Sequence, residues 1–526
     1  MPYPAHLLEQ AKHLANRERR RPRQASLRRA VSTARHVQGF ISTHNRHRLA
    51  GVDHDCMTNL QKVAQYTVTV FFERFYLTCL SHASYMIGSG GIAAVVDPQR
   101  DIGLYLETAA AKGLDIRHII ETHLHADFVS GHRELAAMTG AEIYIGAAAG
   151  ARFPHVAVRE GMEVSFGQCR LRFLETPGHT LESVSILVTD LERPAEPFAV
   201  LTGDTLFIGD VGRPDLSGDA TPQELAGMLY DSLHSKLLRL NDDVEVYPAH
   251  GAGSLCGRQM SADSASTIGK ERRTNYALRI TDRDDFVRTM TADLPERPEY
   301  FARDVELNRA GAAAMEALPP MRLLSSYELL ELQGRGTMVL DTRPTNEFAA
   351  AHVPGSLHIG LRGQYASWAG ILLGLDTEIV LVAEDPEAAE ESRMRLARVG
   401  IEKVSGSLAD GIAGWSRDGL AVGGIRQVPV TEFHETFGDG VQLIDVRRAP
   451  EWQGGHVKGA IHRPLDKLRT SLRDLDRSRP TAAYCKGGYR SSIATSILRQ
   501  EGFTDVTNIV GGFDAWKACE LPVVTG

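Results

Sequence analysis

The chain has 526 residues, of which 43% are hydrophobic and 24% charged, as is typical of a globular protein. No apolar run reaches the roughly 18 residues that a membrane span needs, and six cysteines are too few for a disulfide framework. At about 150 residues per domain, three to four domains are expected, in a reducing, cytoplasmic protein that is not bound to a membrane.

Residues 1–66 are predicted to form a basic extension rather than a folded domain. Residues 1–56 have a net charge of +7, whereas the rest of the chain carries −15. The acidic body argues against nucleic acid as the main partner. We interpret the extension as a disordered arm, or as upstream sequence that is not normally translated. A transit peptide or a nucleic-acid-binding arm are the alternatives.

Residues 67–318 are predicted to form one α/β domain. Ile92–Asp97 has the pattern of a buried strand that ends on an acid, Asp101–Lys112 that of a helix, and His118–His123 that of a strand leading into a histidine-rich loop. Strands, loops and helices continue to alternate up to about residue 250, which is typical of an α/β fold.

An internal duplication follows Pro319 and Pro320, which mark a domain boundary. The segment Val339–Ile359 matches Gln442–Pro464, and its identical residues at an offset of 104 include Asp341, Arg343, Glu347, His352 and Gly355. Units of about 100 residues are too long for a solenoid repeat. The sequence therefore predicts two tandem α/β domains with parallel sheets, over residues 319–425 and 426–526.

Four loops that follow strands carry candidate metal ligands. They are THLHADFVSGH, TPGHT, LTGDTLFIGDVGRPD and YPAHGAG, which contribute His123, His125, Asp127, His179, Asp204 and His250. One loop of this kind has little weight, but four in this order are not expected by chance. Their order resembles the metallo-β-lactamase fold, and THLHAD and TGDTLFIGDVGRPD resemble its persulfide dioxygenases. The resemblance implies an αββα sandwich with a metal between the two sheets.

Phe128 departs from the pattern of the dinuclear members of that fold, which have His at this position. Because Phe cannot bind a metal, a mononuclear centre is favoured. The resemblance implies one Fe(II) held by His123, His179 and Asp204, with positions open for O₂ and substrate. Zn(II) is expected only as a misloaded ion.

The remaining polar residues of these loops have two interpretations each. His125, Asp127 and His250 either orient ligands and waters around the metal or make structural hydrogen bonds. Arg213 either holds an anionic group of the substrate or pairs with one of its neighbouring aspartates.

The loop YCKGGYRSS, which begins at Tyr484, carries a candidate nucleophile. Cys485 lies between a predicted strand and a predicted helix, where backbone N–H groups form an anion-binding nest and favour a thiolate. Lys486 and Arg490 add positive charge. The loop resembles that of rhodanese sulfurtransferases, which implies that Cys485 accepts a sulfane sulfur and carries it as a persulfide. The alternative is a buried structural cysteine.

The preceding copy lacks this loop. Ala383 aligns with Cys485, and no cysteine occurs between residues 320 and 425. Glu384, Asp385 and Glu387 replace the glycines and bases, and an acidic loop repels a thiolate. This copy is predicted to be a catalytically inactive rhodanese that acts as a spacer or docking platform.

The three parts together resemble persulfide dioxygenase–rhodanese fusions. The resemblance implies oxidation of low-molecular-weight thiol persulfides by O₂ to sulfite, coupled to sulfur transfer between persulfide, sulfite and thiosulfate, in a homodimer or homotetramer. Two alternatives are a zinc-dependent thioester hydrolase of the glyoxalase II type with an added sulfurtransferase, and a sulfur-sensing scaffold without activity.

Overall fold

The computed structural model describes residues 70–525, apart from 194–195, 219, 293, 295 and 437–439. The predicted basic extension over residues 1–66 lies outside the described residues. None of the described helices is both long and apolar enough to cross a lipid bilayer.

Two six-stranded sheets form the first part of the described chain, which we call the sandwich domain. The first sheet has its strands in chain order: β1 (Phe71–Leu77), β2 (His82–Ser89), β3 (Ile92–Val96), β4 (Asp115–Glu121), β5 (Glu142–Gly146) and β6 (Val156–Val158). The second sheet has the spatial order β12 (Ser266–Thr267), β11 (Glu245–Pro248), β10 (Ala199–Gly203), β9 (Val184–Asp190), β8 (Cys169–Glu175) and β7 (Glu163–Phe166).

The two sheets pack face to face around one apolar core. Ile87 and Ile120 of the first sheet lie in the same buried cluster as Phe173 and Ile186 of the second. Helices cover the outer faces: α1 (Gly103–Lys112) and α2 (His132–Thr139) on the first sheet, and α3 (Pro222–Ser235), α4 (Ile268–Thr274) and α5 (Arg283–Thr291) on the second. The predicted αββα sandwich is therefore confirmed, and α6 (Tyr300–Ala310) follows it.

A five-stranded parallel sheet forms the next part, the middle domain. Its spatial order is β13 (Arg322–Leu324), β17 (Val404–Leu408), β16 (Ile379–Val382), β14 (Met338–Asp341) and β15 (Leu357–His358). Its helices are α7 (Ser326–Gly334), α8 (Thr345–Ala350), α9 (Tyr365–Leu372), α10 (Pro386–Ala397) and α11 (Gly411–Arg417).

The C-terminal domain repeats this topology. Its parallel sheet has the order β18 (Arg426–Pro429), β23 (Val506–Val510), β22 (Thr481–Tyr484), β19 (Gln442–Asp445) and β21 (Ile461–His462), and β20 (His456–Val457) pairs with β24 (Val523–Val524). Its helices are α12 (Val430–Thr436), α13 (Ala449–Gln453), α14 (Tyr489–Gln500) and α15 (Gly512–Ala518). The predicted tandem of parallel α/β domains is confirmed.

The middle domain contacts both of its neighbours. Arg398 makes a bidentate ion pair with Asp101 of the sandwich domain, with N–O distances of 2.9 and 2.8 Å. On the other side, the backbone N–H of His358 donates to Ser496 of α14, at 3.0 Å. The domain without a cysteine thus contacts both of the domains that carry a candidate site.

Candidate metal centre and sulfur-transfer loop

Three side chains predicted to bind iron converge in the buried interior of the sandwich domain. His123 follows β4, His179 lies in the turn after β8, and Asp204 follows β10. The Nε2 atoms of the two histidines lie 3.7 and 3.5 Å from Oδ2 of Asp204. One ligand atom from each residue lies within 4.8 Å of the others, which is the arrangement of a metal-binding group.

Hydrogen bonds at Nδ1 fix both imidazole rings. Thr122 Oγ1 donates to Asp97 at 2.9 Å and accepts from His123 Nδ1 at 3.0 Å. His179 Nδ1 donates to the carbonyl oxygen of Arg213 at 3.0 Å. Because each Nδ1 carries the proton, each Nε2 presents a lone pair to the metal-binding group.

Electrostatics favour the ligand form of all three groups. Burial lowers the pKa of both His123 and His179, so the two imidazoles are neutral. Burial alone raises the pKa of Asp204, but the positive charge of His250 and its hydrogen bond to the carboxylate hold that pKa well below its usual range. Two neutral imidazoles and one carboxylate are therefore available to a metal ion.

A glycine allows the chain to approach this group closely. A Cβ atom on Gly212 would lie 1.9 Å from the Asp204 carbonyl oxygen and 3.0 Å from His179 Nδ1. Any side chain here would displace one of the metal-binding residues. The GDVGRPD segment thus needs glycine at this position for a steric reason.

His250 joins two carboxylates beside the group. Its Nδ1 lies 2.8 Å from Asp204 Oδ1, and its Nε2 lies 3.0 Å from Asp127 Oδ2. Burial opposes a charge on this ring, yet the two carboxylates raise its pKa well above the ordinary value. His250 therefore holds the Asp204 carboxylate in place, and Asp127 in turn holds His250.

His125 is paired with carboxylates outside the metal-binding group. Its Nε2 lies 3.1 Å from Asp97 Oδ1 and 3.4 Å from Glu121 Oε2. Although burial opposes protonation, these two carboxylates raise the pKa of His125 to about 10. The partners of the second histidine of the H-x-H motif are therefore these two carboxylates and not the group formed by His123, His179 and Asp204.

Phe128 fills the place next to His125 with an apolar ring. Its centroid lies 4.4 Å from that of His125 and 4.1 Å from that of His82, and its side chain is completely buried. His82 is also completely buried, and neither ring nitrogen has a hydrogen-bond partner among the described residues. Cys256 lies close to Asp127 and His250, and burial raises the pKa of its thiol well above the ordinary value.

Both the guanidinium and the backbone carbonyl oxygen of Arg213 make hydrogen bonds. Its Nε and Nη2 atoms bind Asp215 at 2.7 and 2.8 Å, and its carbonyl oxygen orients His179. The pairing with Asp215 is one of the two predicted interpretations. Binding of an anionic substrate group by Arg213 stays a prediction.

Cys485 begins the loop between β22 and α14, where the sequence predicts it. Its side chain is buried, and the backbone N–H of Gly488 donates to Sγ at 3.1 Å. Lys486 and Gly487 next to it are exposed. The loop therefore gives the sulfur a backbone donor while its rim faces solvent.

The guanidinium of Arg490 forms an ion pair that anchors the loop. Its Nη1 and Nη2 atoms bind Oε2 and Oε1 of Glu451 at 2.6 and 2.7 Å. Burial opposes its charge, but Glu451 raises the pKa of Arg490. Tyr489, between Cys485 and Arg490, donates its hydroxyl to the carbonyl oxygen of Gly360 in the middle domain, at 2.8 Å.

The strand register places Ala383 where the alignment predicts it. Asp341 of β14 is paired with Val382, and Asp445 of β19 is paired with Tyr484. The next residues are Ala383 and Cys485, which therefore occupy equivalent positions after β16 and β22.

Several residues that orient the site were not predicted from the sequence. They are Thr122, Asp97 and Glu121 around the histidines, His82 beside Phe128, and Glu451 and Tyr489 at the sulfur-transfer loop. The acid that ends the third strand was a visible signal for Asp97. The others carry no local signal, because their roles depend on how separate segments pack together.

Comparisons with known proteins agree with this architecture. A sequence model of the metallo-beta-lactamase superfamily matches residues 77–250, and one of the rhodanese-like domain matches residues 325–418 and 429–519.

Relatives include both hydrolases and dioxygenases. The hydroxyacylglutathione hydrolase of Polaromonas sp. strain JS666 is 29% identical over 247 residues, which are 41% of this chain and 89% of that protein. The mitochondrial persulfide dioxygenase ETHE1 of Bos taurus is 30% identical over 204 residues, 38% of this chain and 70% of that protein. A metallo-beta-lactamase crystal structure from Staphylococcus aureus is 30% identical and covers 64% of this chain and 98% of its own, with a TM-score of 0.58. The chain belongs to the metallo-beta-lactamase superfamily and carries two rhodanese-like domains in tandem after its metallo-beta-lactamase domain.

Proposed function

We propose that the protein is a mononuclear iron persulfide dioxygenase fused to an active sulfurtransferase, with domains over residues 67–318, 319–425 and 426–526. The first reaction is RSSH + O₂ + H₂O → RSH + sulfite + 2 H⁺, in which the terminal sulfur loses four electrons and O₂ gains them. The observation that carries the proposal is a buried group of two histidines and one carboxylate. The neighbouring histidine, His125, is paired with other carboxylates.

The residues fit one ferrous ion. His123 and His179 would hold it through Nε2 and Asp204 through a carboxylate oxygen. Fe(II) bound on such a face supplies open coordination positions and electrons for O₂ and a sulfur ligand. His125 is paired with Asp97 and Glu121 and Phe128 is apolar, so we count neither among the ligands. The pairing of His125 with carboxylates and the apolar ring of Phe128 support a single metal ion at this group.

The surrounding residues keep the ligands in place and exclude water. Thr122 and the Arg213 carbonyl oxygen fix the two rings, and His250 fixes the carboxylate. The rings of Phe128 and His82 pack against each other beside the metal-binding residues and exclude water from that side. Ligands that are positioned before the substrate arrives need little rearrangement during the reaction.

The sulfurtransferase step uses Cys485. Its thiolate attacks the sulfane sulfur of a second persulfide, RSSH, so that an S–S bond forms on Cys485 and RS⁻ leaves with its electron pair. Sulfite then attacks the outer sulfur, thiosulfate leaves, and the Cys485 thiolate is restored. Gly488 N–H stabilises the thiolate in both half-reactions. We prefer this direction because it consumes the sulfite that the first reaction makes.

Oxygen uptake by the Fe(II)-loaded protein tests the proposal. Glutathione persulfide and coenzyme A persulfide are added in parallel, so that two classes of thiol carrier are compared. We expect prompt uptake that Asp204→Ala abolishes. Cys485→Ser is the matched control, which keeps oxygen uptake but releases sulfite in place of thiosulfate. No uptake with either persulfide, with iron verified in the protein, contradicts the proposal.

The alternative is a zinc-dependent thioester hydrolase, and its support is the similarity to hydroxyacylglutathione hydrolases. The pairing of His125 with carboxylates and the presence of Phe128 both disfavour the second metal ion of such a site. Hydrolysis of a glutathione thioester by the zinc-loaded protein, without oxygen uptake by the iron-loaded protein, would establish the alternative.

A further inference from the structure

The residue before α13 carries a guanidinium that neither the fold nor the anchor of the Cys485 loop uses. Arg447 is buried and pairs with Asp445 at 2.6 Å, which fixes the end of β19. Arg448, the next residue, is exposed. Within the described part of the chain, its guanidinium forms no hydrogen bond or ion pair.

Glu451 ties Arg448 to the sulfur-transfer loop. The backbone N–H of Arg448 donates to Glu451 Oε2 at 3.1 Å, and the same carboxylate accepts both bonds from Arg490. Arg448 is therefore the N-cap residue of α13, and its backbone N–H binds the same carboxylate as the loop residue Arg490. Both oxygens of the Glu451 carboxylate are bound by Arg490, so Glu451 forms no ion pair with the guanidinium of Arg448.

The charges around Arg448 have both signs. Desolvation by its surroundings, and then the like charge of Arg490, lower the pKa of Arg448, whereas Asp466 and Glu451 oppose that change. Lys486 on the same loop is exposed as well. Exposed cations thus occur both at Arg448 and in the Cys485 loop.

The middle domain lacks the feature. Pro344 occupies the position of Arg448 at the offset of 104, and Glu384 occupies that of Lys486 at the offset of 102. The cation at this position thus occurs in the domain that has the cysteine and is absent from the one that lacks it.

We propose that Arg448 is a specificity-determining residue that binds the doubly charged sulfur oxyanion, sulfite or thiosulfate, at the mouth of the Cys485 site. The inference rests on the proposed sulfurtransferase function. A guanidinium that donates to an oxyanion forms a charge-assisted bond, and loss of one such bond weakens binding by about tenfold.

Steady-state sulfur transfer from thiosulfate to dithiothreitol by the full chain tests the inference. We expect Arg448→Gln to raise the KM for thiosulfate about tenfold with kcat within about twofold. Arg448→Lys keeps the charge and should recover most of the loss. Cysteamine persulfide, a donor that has no oxyanion group, should show no increase in KM.

Arg426→Gln is the matched control. Arg426 begins β18, which is parallel to β23 and hence to β22. Cys485 follows the C-terminal end of β22, so Arg426 lies at the opposite end of the parallel strands. Removing this arginine should leave the KM for thiosulfate unchanged. An equal KM in the wild type and in Arg448→Gln would overturn the inference.

A binding experiment separates this inference from the proposed function. Sulfate, a dianion that donates no sulfur, is tested for protection of Cys485 against alkylation by iodoacetamide. We expect half-protection of Arg448→Gln to need about tenfold more sulfate than the wild type. The difference in sulfate protection can be measured even if the wild type transfers no sulfur. Absence of sulfur transfer would contradict only the sulfurtransferase function. Equal protection of both proteins would contradict the role of Arg448.

Discussion

The two rhodanese-like domains have the same framework and different loops. In both, the aspartate that ends β14 or β19 pairs with an arginine two residues later, at 2.6 Å: Asp341 with Arg343, and Asp445 with Arg447. All four side chains are buried. The middle domain therefore lacks the cysteine but retains the residues that hold the sheet.

The loops differ in what occupies the helix N-terminus. In the C-terminal domain, the loop before α14 directs a backbone N–H to Cys485. In the middle domain, Asp385 caps α10 by accepting from Ala388 N at 2.7 Å. A carboxylate of the chain itself thus takes the place that an anion or thiolate would occupy. The comparison shows that framework and chemistry are separable in this fold.

The largest expected effect comes from exchanging the residue that distinguishes the loops. Cys485→Ser should lower sulfur transfer by about a thousandfold or more, because the hydroxyl is a far weaker sulfur acceptor than a thiolate. Ala383→Cys should not create activity, since Glu384 and Asp385 disfavour a thiolate. Transfer from thiosulfate, with mass spectrometry of the persulfide, measures both. A persulfide on the thiol introduced by Ala383→Cys would show that the acidic loop is not the reason for inactivity.

The shared ion pairs should contribute equally to the stability of the two domains. Removal of one partner leaves a buried charge, so Arg343→Ala and Arg447→Ala should each destabilise their own domain by about 3–5 kcal/mol. Because a multidomain chain does not unfold in two states, hydrogen exchange of the β14 and β19 amides is the appropriate measurement. The exposed pair Arg417–Asp410 provides the control: Arg417→Ala should cost less than about 1 kcal/mol. A large difference between the two buried pairs would mean that the frameworks are not equivalent.

The sequence predicted this framework because its signals are local. The αββα sandwich, the two parallel sheets and the alignment of Ala383 with Cys485 follow from strand patterns and from repeated residues at a constant offset. Helix ends were less accurate: α1 begins at Gly103, two residues after the predicted start at Asp101.

The contacts between domains were not predictable in this way. Tyr489 meets Gly360 across 129 positions of sequence, and Ser492 meets His358 across 134. No local pattern identifies such partners. The predicted roles of His123, His179 and Asp204 depended on motifs, whereas the pairing of His125 with Asp97 and Glu121 depends on the packing of two strand ends.

The contact between the two domains should weaken in acid through His358. Its Nε2 donates to the carbonyl oxygen of Arg343 at 2.9 Å, so Nδ1 accepts from Ser492 Oγ at 2.8 Å. Burial lowers the pKa of His358 to about 4 from 6.5. Since the unfolded chain binds a proton first, the stabilisation is complete above pH 6.5 and is lost as the pH falls towards 4, about 3 kcal/mol in all.

Hydrogen exchange of the α14 amides between about pH 7 and pH 4 measures this loss. His358→Gln should show a smaller difference between the two pH values than the wild type. His462 makes the equivalent bond to the Arg447 carbonyl oxygen at 2.8 Å but is partly exposed, so His462→Gln should keep the wild-type dependence at α14. An identical pH dependence in wild type and His358→Gln would exclude His358 as the titrating group.

The smallest expected effect tests whether the middle domain acts on the loop of its neighbour. Tyr489→Phe removes only the hydroxyl that binds Gly360, a loss of about 1 kcal/mol, and should slow transfer at Cys485 by roughly fivefold. Tyr327→Phe is the matched control, because that hydroxyl contacts Asp418 at 3.3 Å on the exposed side of the middle domain. The rate of Cys485 alkylation against pH is measured alongside, since a loop that has shifted changes the thiol environment and a merely destabilised domain does not. If Tyr489→Phe matched Tyr327→Phe in both measurements, the middle domain would be a passive spacer, whereas a selective effect would show that it holds the sulfur-transfer loop in place.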